Sequence, residues 1–80
     1  MMAGWDEKDG ALHRDFRFAT FAGALAFVNE VGALAEAANH HPDIDIRWNL
    51  VTLRLSTHSA GNVVTDRDHA LAAAIDRLGS

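Results

Sequence analysis

Two kinds of hydrophobic spacing alternate along this chain. Residues 11–18 follow a period of two: Leu12, Phe16 and Phe18 fall on one side, with Arg14 the exception, and His13, Asp15 and Arg17 fall on the other. That is the pattern of an antiparallel strand with one face buried. Asp9-Gly10 just before it tolerates positive φ at both positions, as a type I′ hairpin turn requires, so residues 5–8 are expected to be the partner strand. Residues 1–4 are expected to be a loose end.

The period then changes. Thr20 is a helix-capping residue, and Phe21, Leu25, Val28, Val31 and Ala35, widened by Phe27 and Leu34, mark an apolar stripe at helical spacing from residue 21 to about residue 38. Gly32 falls within the stripe, which predicts close approach of the helix to a sheet. Ala22, Ala26, Ala33 and Ala37 occupy the opposite side, with Glu30 its only charge.

After Pro42 the period of two returns. Ile44, Ile46 and Trp48 alternate with Asp45 and Arg47, and Val51, Leu53 and Leu55 alternate with Thr52, Arg54 and Ser56. A tight turn is expected at Asn49-Leu50, and Trp48 is expected in the core rather than against a ligand. A loop over residues 59–64 leads to Thr65-Asp66-Arg67-Asp68, a capping-box pattern. The helix it opens shows Leu71, Ala74, Ile75 and Leu78 on one face and is expected to stop at Gly79. The order ββαββα predicts an α+β fold, a four-stranded antiparallel sheet with helices on one face.

Eighty residues make one domain near the lower size at which a single core suffices. The 49% hydrophobic content is inflated by alanine, so self-association is an expected way to bury more surface. The net charge is −4 and the seven basic residues are scattered, which argues against nucleic acid or an anionic membrane as partner. No apolar stretch approaches about twenty residues and no signal-peptide pattern opens the chain, so a cytoplasmic protein is expected. With no cysteine there is no disulfide or thiolate site.

The candidate chemistry lies in Glu36-Ala37-Ala38-Asn39-His40-His41-Pro42, where a carboxylate, two adjacent imidazoles and the sole proline stand within seven positions. Proline disfavours helical geometry in the residue before it, so His40 falls at or just past the helix end and His41 on the turn into the strand. Glu36 lies one turn before His40, so the two can approach. His58 ends the second hairpin and Asp68 opens the last helix. Gathered together, Glu36, His40, His41, His58 and Asp68 form an acid/base set, and imidazole titrates closest to neutrality. The plainer alternatives are a helix end and turn for His40 and His41, a strand-end residue for His58, and helix capping for Asp68. A metal site at His40, His41 and His58 is weaker, since there is no i, i+4 histidine pair. His13 and His69 fall on outward faces and carry no assigned function.

At these residues the chain resembles the pterin-4a-carbinolamine dehydratases, also called dimerisation cofactor of a homeodomain transcription factor. The likeness rests on Glu36 followed after three residues by His40-His41-Pro42, on Ser56-Thr57-His58, and on the Thr65/Asp68 helix start. Gly4-Trp5 and Phe18 with Phe21 add to it. The resemblance implies catalysis by His40, His41 and His58 supported by Glu36 and Asp68, no cofactor or metal, a pterin substrate, and a homodimer or homotetramer. Three features depart from the family pattern. Almost nothing precedes Trp5 where a further helix is common, Ile44 stands where an aromatic is frequent, and the loop between His58 and Asp68 is one residue longer. The competing reading is a non-catalytic protein-binding module on the same fold.

Overall fold

A computed structural model of the chain describes residues 4–78. Its elements are β1 (Asp6–Lys8), β2 (Ala11–Arg17), α1 (Phe21–Ala38), β3 (Asp43–Arg47), β4 (Leu50–Leu55), a single 3-10 turn (His58–Ala60) and α2 (Asp66–Leu78). The four strands form one antiparallel sheet in the order β1-β2-β4-β3. This is the α+β arrangement that the alternating periods predict. The expected end of α2 at Gly79, and most of the expected loose N-terminus, lie outside the described residues.

The register explains the layers. Leu12, Arg14 and Phe16 lie opposite Leu55, Leu53 and Val51, so their side chains share one face of the sheet. Leu12, Val51, Leu53 and Leu55 are buried there with Ala24, Phe27 and Val31 of α1 and Leu71, Ala72 and Ile75 of α2. Arg14, the polar residue on this face, has its charge met by Asp76 of α2 at 2.7 Å and its guanidinium over the Phe16 ring at 4.6 Å. Trp5 precedes β1 rather than belonging to it, and its indole donates to the same Asp76 carboxylate at 2.8 Å. Among the described residues the other face, with His13, Asp15, Thr52 and Arg54, carries no helix, and its polar side chains meet solvent.

Thr20 caps α1 as expected, its hydroxyl accepting from the Gly23 amide at 3.0 Å. The buried arc of the helix is rotated from the predicted stripe. Ala24, Phe27, Val31 and Ala35 are buried, while Phe21 and Leu25 are 46% and 42% exposed. Because α2 packs over the β1–β2 side, through Trp5 and Arg14, the centre of contact on α1 shifts towards α2. Phe21 and Leu25 are left on the flank turned away from it. Gly32 makes no close approach; a Cβ there would meet nothing within 4 Å. By length and composition α1 is apolar enough to cross a membrane, contrary to the expectation that no such stretch exists; in this fold its apolar arc covers the sheet.

Two turns place the remaining elements. Asp9 and Gly10 take φ of 54° and 76°, the positive values a type I′ turn needs. A Cβ on Gly10 would lie 2.4 Å from the Asn62 carbonyl, so only glycine lets this turn brace the loop that follows His58. The second hairpin turns at Trp48-Asn49, one residue earlier than expected. Trp48 is 67% exposed with φ of 51°, so it is not a core residue. The turn is tied to the segment entering α1 by Phe18 N–H to the Asn49 carbonyl at 2.8 Å and Asn49 Nδ2 to the Phe18 carbonyl at 2.7 Å. These bonds, rather than burial of the indole, set its position. In α2 the buried apolar face is Leu71, Ala72 and Ile75; Ala72 rather than the predicted Ala74 turns inward.

Candidate active site

The site forms where the end of α1, the end of β4 and the start of α2 meet. Asn39 ends α1 in left-handed geometry, φ 50°, a position usually held by glycine and tolerated by asparagine. The Asn39 amide donates back to Glu36 O at 3.2 Å and the His40 amide to Ala35 O at 3.1 Å. This reversal turns the His40 side chain inward, where it is 7% exposed, and leaves His41 outside, directed back over the last turn.

His40 Nε2 lies 2.5 Å from Asp68 Oδ1. The Asp68 side chain is fully buried, and its second oxygen accepts from the Thr57 hydroxyl at 2.8 Å and the Thr65 amide at 2.9 Å. The Thr57 and Thr65 hydroxyls are 2.7 Å apart and join the same network. The Thr65 amide contact is one half of the expected capping box. Burial by itself would raise the Asp68 carboxyl. The bonds from His40, the Thr65 amide and Thr57 outweigh it and hold the carboxyl below the ordinary carboxylate range. Asp68 is therefore an anion, and the proton shared with His40 resides on Nε2 of the ring. Nδ1 is left as the ring nitrogen able to exchange a proton with a ligand.

A second pair of the same kind stands nearby. His41 Nε2 lies 2.6 Å from Glu36 Oε2, with the two side chains 57% and 78% exposed. The sequence places Glu36 one turn before His40; the structure gives it to His41 instead, because the left-handed Asn39 rotates His40 away. His58 opens the 3-10 turn, exposed, and among the described residues its ring makes no hydrogen bond. Thr57 N–H bonds to Val63 O at 3.0 Å and Asn62 N–H to Thr57 O at 3.0 Å, closing this loop beneath it.

His40, His41 and His58 line one cavity of about 240 Å³, together with Asn39, Ser56, Thr57, Ser59 and Arg67. Glu36 and Asp68 reach it through His41 and His40. The five candidate residues are thus one constellation, while His13 lies on the open face of the sheet. Ile44 does not line the cavity. Thr57 and Arg67 belong to the constellation but were not singled out as candidates. The signal for Thr57 was its place beside His58, and for Arg67 its place inside the capping box, next to Asp68. Among the described residues no group of three His, Cys, Asp or Glu is arranged to hold a metal ion.

A four-stranded α+β protein with a histidine cavity backed by two carboxylates at one end of its sheet defines a narrow class. A family model for pterin 4 alpha carbinolamine dehydratase matches residues 1–78, and the chain belongs to that family. It is 55% identical over 74 residues to a protein of Chloroflexus aurantiacus provisionally named a pterin-4-alpha-carbinolamine dehydratase, covering 92% of this chain and 78% of that one. A protein of the same provisional name from Roseiflexus castenholzii is 51% identical over 77 residues, covering 96% and 82%. Among solved structures, a transcriptional coactivator/pterin dehydratase from Brucella melitensis superposes with a TM-score of 0.91 at 32% identity, covering 98% of this chain and 84% of that one. A pterin dehydratase-like protein identified as a RuBisCO assembly factor in the alpha-carboxysome superposes at 0.74 with 28% identity, covering 92% and 84%.

Proposed function

We propose that this chain dehydrates a 4a-hydroxytetrahydropterin to quinonoid dihydropterin and water by histidine acid/base catalysis. The observation that carries this reading is the convergence of three imidazoles on one cavity, two of them each hydrogen-bonded to a carboxylate. The reaction breaks the C4a–O bond. One group delivers a proton to the departing hydroxyl and another accepts the N5 proton, so protons balance and no electrons are exchanged. It therefore requires neither a metal nor a redox cofactor. Positioned acid/base groups contribute roughly 10²- to 10⁴-fold each.

The roles divide by environment. His40, buried and held by ionised Asp68, is fixed in direction and tautomer and suits the acceptance of a proton at Nδ1. His41 and His58 are exposed to water and can renew a proton between turnovers, which suits the protonation of the leaving hydroxyl. Mixing the protein with freshly generated 4a-hydroxytetrahydropterin and following the quinonoid product tests the reading. Acceleration over buffer is expected; its absence sinks it.

In this reading the protein works in the cytoplasm as a homodimer or as a homotetramer built from dimers. The exposed Ala22, Ala26, Ala33 and Ala37 and the apolar Phe21 and Leu25 support assembly through α1. Light scattering that returns a monomer mass at micromolar concentration rejects it. A second reading, a binding module, draws on the assembly factor among the structural neighbours and on the exposed Trp48. Retention of three cavity histidines counts against it as the sole role. A pull-down from the native cell that recovers only this chain would remove it.

A further inference from the structure

Arg67 is the one lysine or arginine among the residues lining the histidine cavity. It stands between Asp66 and Asp68, yet among the described residues it forms no ion pair with either. Its guanidinium Nη2 instead crosses from α2 to donate to the Asn39 carbonyl at 2.8 Å. That carbonyl and the His40 amide belong to the same peptide plane, and the amide is engaged with Ala35 O at 3.1 Å. The plane joining the helix end to the histidine pair is therefore held at both edges, by α1 on one side and by α2 on the other. The next residue of α2, Asp68, holds the His40 ring. Consecutive side chains of one helical turn thus fix the backbone and the imidazole of the same residue.

We propose that Arg67 is a positioning residue for the dehydration reaction, clamping the Asn39–His40 peptide so that His40 and His41 keep their directions relative to His58. A left-handed asparagine is a less constrained helix end than a closed secondary element, and a lost clamp lets that peptide rotate. Displacements of about 1 Å in a catalytic group cost up to roughly 10²-fold in rate.

The test compares Arg67→Gln and Arg67→Lys with the parent chain by thermal unfolding, by the ring Cε1–H resonances of His40 and His41, and by kcat and KM. For Arg67→Gln the expected result is a melting temperature little changed, shifted ring resonances, and kcat lowered about tenfold with KM altered far less. Arg67→Lys, which can still donate one bond, is expected to recover part of the rate. Unmoved ring resonances in Arg67→Gln would overturn the clamp, and so would an unchanged kcat. A raised KM with kcat intact would also overturn it, by making Arg67 a substrate contact. The kinetic arm rests on the dehydratase reading. If the parent chain proves inactive, the ring resonances still decide whether Arg67 orients the pair.

Discussion

The same chemical unit, a carboxylate bonded to an imidazole, is built twice within one small site. His40–Asp68 and His41–Glu36 differ little in length, 2.5 Å against 2.6 Å. They differ in solvent. The first is sealed between α1 and α2, with its carboxylate held by two further donors. The second stands in water at the end of one helix. A buried charge that loses its partner is expensive, because nothing replaces the lost bond. An exposed pair that breaks is rehydrated and contributes about 0–1 kcal/mol. In the proposed dehydration the buried pair ties rate to folding, whereas the exposed pair can change rate alone.

Removing the anchor of the buried pair is the strongest way to break this comparison. Asp68→Ala leaves Thr57, Thr65 and His40 without their acceptor, and it is expected to lower stability by about 3–5 kcal/mol and to abolish activity. Urea unfolding measures the first, and a loss below about 1 kcal/mol would show that the pair is not sealed. Rate is the next measure. His41→Ala and His58→Ala should each cost at least about tenfold in kcat/KM with unfolding midpoints close to the parent. A matching loss of stability would deny the exposed groups their purely chemical role.

Acid sharpens the contrast further. The Asp68 carboxyl sits below its unfolded value of about 3.9, so its contribution is fully present above that value and is lost as pH falls through the folded one. Thermal unfolding should weaken below about pH 4, and Asp68→Asn should flatten that acid limb; equal slopes in both proteins would contradict the assignment. The smallest effect belongs to Glu36→Gln. Stability should change by less than about 0.5 kcal/mol, while kcat/KM should fall severalfold as His41 loses the carboxylate that orients its ring. An unchanged kcat/KM would leave Glu36 without a part in the chemistry.

Much of this protein is legible in its residues taken in order. The switch from a period of two to helical spacing and back locates both hairpins and both helices, because each element buries one face whatever it packs against. The turn at Asp9-Gly10, the caps at Thr20 and Thr65, and the cluster from Glu36 to Pro42 are local chemistry, and local chemistry is written in adjacent letters. Packing between elements is not. Burial of Ala24 in place of Phe21 and Leu25, and exposure of Trp48, depended on where α2 settled over the sheet and on the bonds between Phe18 and Asn49. The pairing of carboxylates with imidazoles likewise lay beyond the linear order. Spacing offers Glu36 to His40. The left-handed Asn39 turns His40 towards α2 and gives Glu36 to His41. By itself the sequence determined the elements, their order and the cluster of residues proposed for the chemistry, since these follow from local preference, periodicity and adjacent letters. The tertiary structure alone decided which of two like pairs is dry and which is wet, since water is excluded only where separate elements close over a group.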